Sequence, residues 1–468
     1  MIALTLAEVA AATGGRLADV TDPQTLVTAP VVIDSRQVRP GALFAAFAGE
    51  HVDGHDYAER AIAAGAVAVL AERPVGVPAV LVEDAQVALG LLARAVAERA
   101  KAVRTVALTG SAGKTSTKDL IAQLLERIGP TVWTEGSLNN ELGLPQTVTR
   151  VEEGTRHLVL EMGARHKGDI AYLTGLVRPQ IGLVLNVGTA HLGEFGSKQG
   201  IAEAKGELVE SLAEDGVAVL NADDPLVRAM RTRTKARVVL FGESRDADVR
   251  ATDVRLDATG RPSFTLTTPA GSAPVQLRLY GEHHVSNALA AAAVAMELGL
   301  SVDDTAAALG EAGALSRWRM EVVDRADGVT VVNDAYNANP ESMRAALRAL
   351  VTIGGRGPER RRTWAVLGEM RELGEESLDE HDAIGRLAVR LDVTKLVAVG
   401  GREAACMELG ARNEGSWGEE SVLVSDGDAA VELLRGQLRP GDVVLVKASR
   451  SVGLEKVAAA LLADGAAQ

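Results

Sequence analysis

Val106-Ala107-Leu108-Thr109-Gly110-Ser111-Ala112-Gly113-Lys114-Thr115-Ser116 joins an apolar run to a glycine-rich turn, and a helix-like stretch follows at 117–128. Strand, loop and helix in that order predict a phosphate-binding loop. Glycine lets main-chain N–H groups close around phosphate oxygens, and a helix N-terminus adds partial positive charge. In such a loop Lys114 reaches the terminal phosphates and the Thr115 hydroxyl ligates Mg²⁺. The spacing is Gly-x-x-Gly-Lys-Thr, shorter than the full Walker form, because Leu108 stands where that form has glycine. Thr109, Gly110, Ser111, Ala112, Gly113, Lys114, Thr115 and Ser116 are the candidate nucleotide-binding residues. The alternative is an ordinary glycine-rich turn between strand and helix.

Two more apolar runs end in polar groups. His157-Leu158-Val159-Leu160-Glu161 closes on a carboxylate, and Ile181-Gly182-Leu183-Val184-Leu185-Asn186-Val187-Gly188-Thr189-Ala190-His191 leads to an imidazole. Ligands of open α/β sheets gather at the C-terminal ends of strands, so Glu161, His191 and the loop are expected to converge. A carboxylate, an imidazole and the Thr115 hydroxyl beside phosphates suit Mg²⁺. Taken singly, Glu161 or His191 also reads as a capped loop end. Lys205, on the helix-like run Ile201-Ala202-Glu203-Ala204-Lys205-Gly206-Glu207, is of a type that is ordinarily solvated, and its spacing assigns it no chemistry.

The pattern extends through the chain. Val/Leu-rich runs at 67–70, 103–109, 157–161, 181–187, 217–221, 363–367, 395–399 and 442–446 alternate with Ala-rich helical stretches. Runs this apolar predict strands covered on both faces, hence parallel α/β sheets. Residues 246–279 alternate apolar with polar and carry Gly/Pro turns, which predicts an antiparallel excursion. Breaks near 102 and 314 divide the chain into 1–102, 103–314 and 315–468. The 468 residues agree with three domains at about 150 each.

Composition narrows the class further. With 47% hydrophobic residues the chain is folded, and with 3% aromatics its cores are aliphatic. A net charge of −14 argues against a nucleic-acid partner. Cys406 is the single cysteine, so no intrachain disulfide forms. The start lacks a basic n-region, and charge interrupts every apolar run before the roughly 20 residues of a membrane span. These features predict a cytoplasmic protein.

Together these segments resemble the Mur ligases, ATP-dependent enzymes that form amide bonds, over essentially the whole chain. The resemblance implies an α/β protein of three domains. They are an N-terminal uridine-nucleotide-binding domain, a central phosphate-loop domain with a small antiparallel sheet, and a C-terminal Rossmann-like domain. It implies ATP on the loop and two Mg²⁺ ions, one held by Glu161, His191 and a lysine carbamylated by CO₂. Lys205 takes that lysine's place. Carbamylation turns a cation into a carboxylate and requires a neutral amine, which burial or nearby cations supply. Gly281-Glu282-His283-His284-Val285-Ser286-Asn287-Ala288 resembles the family's Gly-x-His-Asn-x-x-Asn-Ala. Asn287 matches the asparagine near the adenine, and His284 stands where Asn is usual. Arg319 matches the arginine that reaches ATP phosphate from the third domain, with Arg317 a competing candidate because the usual Pro-Gly is absent. Asp334, Tyr336 and Asn337 are implied contacts to ribose and base.

Val32-Ile33-Asp34-Ser35-Arg36 resembles the uridine-nucleotide module, with Ser35 and Arg36 near the UDP moiety. Leu138-Asn139-Asn140-Glu141, the stretch through Asn339-Pro340 and Leu367-Gly368-Glu369-Met370-Arg371-Glu372-Leu373-Gly374 resemble the branch that adds D-Ala-D-Ala. Val446-Lys447-Ala448-Ser449-Arg450 resembles the family's Lys-Gly-Ser-Arg. Asn139, Asn140, Asn339, Lys447, Ser449 and Arg450 are thereby implied substrate contacts. The implied activity joins D-Ala-D-Ala to the terminal carboxylate of UDP-MurNAc-tripeptide through an acyl phosphate. Lys114, Glu161, His191, Lys205 and Arg319 are its implied catalytic residues. A monomer is expected, whose third domain closes on the second about a hinge near 314. The competing readings are a ligase for another carboxylate, such as a folate, and an ATP-binding regulator without turnover.

Overall fold

The computed structural model describes residues 1–49, 52–189, 192–355, 357, 360–416 and 419–466. The nine-stranded sheet that carries the phosphate loop runs, edge to edge, Gly271–Gln276, Pro262–Thr268, Val249–Leu256, Arg237–Gly242, Val217–Asn221, Ile181–Val184, Arg104–Thr109, His157–Glu161 and Thr131–Trp133. Seven of these strands pair in parallel, from Val249–Leu256 to Thr131–Trp133. Val106, Ala107 and Leu108 are fully buried, as strands covered by helices on both faces must be. Full burial of each Val or Leu stabilises the fold by roughly 1.5–3 kcal/mol.

The antiparallel excursion is continuous with this sheet. Val249–Leu256 pairs in parallel with Arg237–Gly242, and the next two strands add antiparallel at the edge. From Arg104–Thr109 the chain crosses to the Thr131–Trp133 edge, returns through His157–Glu161 and passes to Ile181–Val184 on the other side. Strand order therefore reverses at Arg104–Thr109, and the switch point brings together the C-terminal ends of three strands: the loop, Glu161 and the Asn186–Thr189 segment.

A four-stranded sheet, Arg16–Ala18, Ala79–Leu81, Ala68–Ala71 and Leu43–Ala45, lies N-terminal to it. This unit shares one aliphatic core with the central one, and main-chain groups join them: Ile2 N–H donates to Val151 O at 2.7 Å. C-terminal to both, a six-stranded sheet runs Glu321–Asp324, Thr330–Asn333, Val443–Lys447, Thr363–Gly368, Lys395–Val399 and Ser421–Val424, parallel except for its first strand. The ends of its adjacent strands place Asp334, Lys447 and Glu369 along one rim. No helix among the described residues is long and apolar enough to cross a membrane.

Candidate active site

The loop helix begins at Lys114 and runs to Glu126, three residues earlier than its apolar pattern suggests. Gly113 caps it at φ +80°, and a Cβ there would lie 2.6 Å from Asn287 Oδ1. Only glycine meets both demands. Asn287 projects from the helix His283–Glu297, whose run of buried alanines lets it pack closely along the loop helix. Asn186, just past its strand, grips the loop from the other side. Its Oδ1 accepts from Ala112 N–H at 2.9 Å and its Nδ2 donates to Ala112 O at 3.1 Å. Lys114 Nζ donates to Gly110 O at 2.7 Å.

Glu161 ends its strand fully buried. Thr134 Oγ1 accepts from the Glu161 N–H, and Asn139 Nδ2 donates to Glu161 Oε1 at 2.7 Å. Among the described residues Glu161 Oε2 has no partner, and neither do Thr109 Oγ1, Thr117 Oγ1 or Arg319 Nε, all buried around the loop. Buried polar atoms in folded proteins are nearly always paired, so this cluster is built for a ligand. Thr115 Oγ1 lies 3.4 Å from Ser137 Oγ.

Lys205 is 3% exposed, on the helix Lys198–Glu210 against the sheet. Among the described residues no hydrogen bond or ion pair reaches its Nζ. Burial, with the nearby Lys114 charge, pushes its ammonium well below the ordinary lysine range. Its neighbours explain the rest of the motif. A Cβ on Gly206 would overlap the Arg233 guanidinium, which donates to Ala202 O and Glu203 O at 3.0 and 2.8 Å. Glu207 accepts from the N–H groups of Gly168 and Ala171, capping the helix Asp169–Val177. Lys114 is held below the usual lysine range by burial, against the pull of Glu161 and with the push of Arg319. His191 lies outside the described residues. Among the described residues no three His, Cys, Asp or Glu side chains form a metal cage.

The C-terminal unit is seated on this site. Arg319 Nη2 donates to Thr115 Oγ1 at 3.1 Å, with its guanidinium 4.1 Å over the Tyr336 ring. Arg317 is exposed and makes no such contact. Asn339 caps the helix Pro340–Gly354 through Ser342 N–H, and its Nδ2 donates to Ser111 O at 3.2 Å. Glu341 Oε1 accepts from Thr189 N–H at 2.9 Å. Asp334 is held by Lys447 Nζ at 2.6 Å and by Met320 N–H. Lys447 also donates to Asn337 O at 2.7 Å. Ser449 Oγ accepts from Arg371 N–H. Asn139, Asn339, Lys447 and Ser449 thus each hold another group of the protein. Asn140 caps the turn at Gly143, Arg450 pairs with Glu455 and covers Trp318, and Arg36 forms a fork with Asp34 beside buried Ser35. Asn186, Ser137, Thr134 and Glu341 carried no assignment from sequence. Asn186 alone had a signal, as the polar residue that ends an apolar run.

His283 feels the charges of Asp334 and Lys447 across this seam and lies against His284, ring centroids 4.3 Å apart and tilted by 38°. Burial, opposed by Asp334 and reinforced by Lys447, pushes His283 down to about 4. A histidine whose folded value is depressed loses nothing above its unfolded value of about 6.5. Between about 6.5 and 4 the unfolded chain binds the proton first, so stability falls as pH falls. At pH 5 the loss is about 2 kcal/mol relative to pH 7. Chemical denaturation of His283→Gln at the two pH values is expected to show a smaller drop than wild type. An equal drop would place the acid sensitivity elsewhere.

Three family models match this chain: "Mur ligase family, catalytic domain" over residues 29–107, "Mur ligase middle domain" over 108–295 and "Mur ligase, glutamate ligase domain" over 318–450. The UDP-N-acetylmuramoyl-tripeptide–D-alanyl-D-alanine ligase of Mycobacterium tuberculosis is 51% identical, with 99% of this chain and 98% of that one covered. A crystal structure of MurF from Acinetobacter baumannii superposes with a TM-score of 0.87 at 33% identity, covering 98% of this chain and 99% of that one. MurF ligase from Thermotoga maritima in complex with ADP superposes with a TM-score of 0.80 at 31% identity, covering 94% and 99%. With the three units matched in order and similarity running the length of the chain, this protein belongs to the Mur ligase family.

Proposed function

We propose that this chain is the ATP-dependent ligase that joins D-Ala-D-Ala to the terminal carboxylate of UDP-MurNAc-tripeptide, giving ADP, phosphate and UDP-MurNAc-pentapeptide for peptidoglycan. The observation that carries the reading is the loop met from two units at once. Lys114 sits in the loop with Glu161 and Lys205 close to its charge, and Arg319 arrives from the C-terminal unit, in a chain similar over its full length to a relative named for this reaction.

A carboxylate is a poor electrophile at neutral pH. In the first step its oxygen attacks the γ-phosphorus, the bond to the ADP oxygen breaks, and an acyl phosphate forms. In the second the free amine of D-Ala-D-Ala attacks the acyl carbon, phosphate leaves with the bonding pair, and the amine's proton goes to solvent. Carboxylate and triphosphate repel each other, so the first step needs cations. Lys114 and Arg319 supply two of them, and loop N–H groups aim at the phosphates. Mg²⁺, two ions in this reading, would add neutralising charge at the phosphates. The donors fit: Glu161 Oε2, which has no partner among the described residues, the Thr115 hydroxyl, and the Lys205 amine, whose hold on its proton burial weakens and which is thereby opened to carbamylation by CO₂. His191 would complete the set. Residues 1–102 would take the uridine nucleotide, 103–314 ATP and metal, and 315–468 would close the site. In this reading the enzyme acts as a monomer in the cytoplasm, where ATP is supplied.

Purified protein supplied with ATP, Mg²⁺, UDP-MurNAc-tripeptide and D-Ala-D-Ala is expected to yield the UDP-linked pentapeptide by mass spectrometry. L-amino acids in place of the dipeptide are expected to yield none. Phosphate release with L-amino acids but not with D-Ala-D-Ala would reassign the acceptor.

A further inference from the structure

The linker into the C-terminal unit is strapped to the phosphate-loop helix. Gln123, on that helix, accepts from Gly313 N–H through Oε1 at 3.0 Å and donates to Gly313 O through Nε2 at 2.9 Å. Asp119 Oδ2 accepts from Ser316 N–H at 2.9 Å, while its other oxygen meets the buried Lys118 ammonium at 2.8 Å. Arg127 pairs with Glu311. The backbone up to Ser316 therefore moves with the central unit, although the sequence alone puts the hinge near 314.

Beyond Ser316 the chain changes character. Trp318 and Met320 both adopt left-handed backbone, at φ +60° and +51°, and neither is glycine. Such residues persist where the surroundings over-determine them, and they cluster at functional sites. Arg319 lies between them. Both flanks of Arg319 are pinned to the C-terminal unit, since Trp318 O accepts from Tyr336 N–H at 3.3 Å and Met320 N–H donates to Asp334 Oδ1 at 3.1 Å.

We propose that Asp119 and Gln123 are positioning residues for Arg319. The loop helix holds the chain just ahead of the strained turn, at Gly313 and Ser316, and the C-terminal unit holds the turn itself, so seating of that unit is converted into the reach of Arg319 to Thr115. Neither Asp119 nor Gln123 touches the proposed substrates. They act by fixing where the turn begins, and small misplacements of a positioned group cost large factors in rate.

The test compares Gln123→Met, Asp119→Ala and Asp119→Asn with wild type. Asparagine keeps an acceptor for Ser316 N–H and alanine does not. Hydrogen exchange at Gly313 is expected to accelerate in Gln123→Met, and at Ser316 in Asp119→Ala but not in Asp119→Asn. X-ray scattering should show a broader spread of domain arrangements in the first two variants. Their kcat is expected to fall on the order of tenfold with the KM for UDP-MurNAc-tripeptide unchanged, and Asp119→Asn to stay within about twofold. A purely structural role would instead lower the melting temperature while leaving kcat per folded molecule unchanged. Unchanged exchange, or faster exchange with unchanged kcat, overturns the proposal. The kinetic arm rests on the ligase reading. If wild type makes no pentapeptide, that reading fails, and the exchange and scattering arms still decide the strap.

Discussion

Lys205→Ala is expected to lower pentapeptide formation by about a thousandfold, with the fold intact. A metal clamp on a transferring phosphoryl group is worth several kcal/mol, and about 4 kcal/mol corresponds to about a thousandfold in rate. Lys205 is buried and has no partner among the described residues, an expensive placement for an amine that only packed. Removing that amine relieves its desolvation, while the lost methylenes leave a cavity costing about 1–3 kcal/mol. The net change in melting temperature is therefore a few degrees. Lys205→Arg separates two roles. Arginine supplies a permanent cation on a side chain of similar length but cannot be carbamylated, so an inactive arginine variant assigns the function to a carbamate and an active one assigns it to a cation. Lys198→Ala, at the exposed start of the same helix, is the control and should retain wild-type rate. Phosphate release and thermal melts on all four proteins give the result, and turnover of Lys205→Ala within threefold of wild type would sink the assignment.

The parts of the site that could be read in the sequence are those encoded locally. The loop announces itself through a strand, two glycines and a lysine in eleven residues, and Glu161 through the apolar run it ends. The antiparallel excursion was visible in its alternation, though not its continuity with the large sheet, which depends on the Phe241–Val249 pairing. What escaped needs register between distant segments. Asn186 is 74 residues from the Ala112 it holds, and Glu341 is 152 from Thr189. Family likeness pointed to Asn139, Lys447 and Ser449 as substrate contacts. Tertiary structure shows their polar atoms holding Glu161, Asp334 and the Arg371 main chain. Pattern matching finds that such residues matter before it can tell whether they touch a ligand or hold the group that does. The choice between Arg317 and Arg319 was open for a related reason. Left-handed backbone at Trp318 and Met320 turns the chain around Arg319, and no glycine advertises it.

That choice has a sharp kinetic consequence. Arg319→Ala is expected to reduce kcat by about a hundredfold to a thousandfold, and Arg317→Ala to leave it within about twofold. An arginine brought to transferring phosphate from a second structural unit stabilises charge that peaks in the transition state, so its loss appears in kcat more than in substrate binding. The KM for UDP-MurNAc-tripeptide should hold, because in the proposed division the uridine nucleotide is bound by residues 1–102. Arg319→Lys should recover little. The planar guanidinium lies 4.1 Å over Tyr336 while one nitrogen reaches Thr115, and an ammonium has no second nitrogen with which to do both. The same variant should also loosen the seated arrangement, because the Arg319–Thr115 bond is among the ties to the loop and its flank, with Asn339–Ser111 and Glu341–Thr189. Loss of seating alone would be relieved by saturating nucleotide, whereas loss of transition-state charge would not. A kcat defect that persists at saturating ATP therefore assigns Arg319 to the chemistry. A defect that vanishes there reduces it to a tether, and equal damage from Arg317→Ala would overturn the assignment.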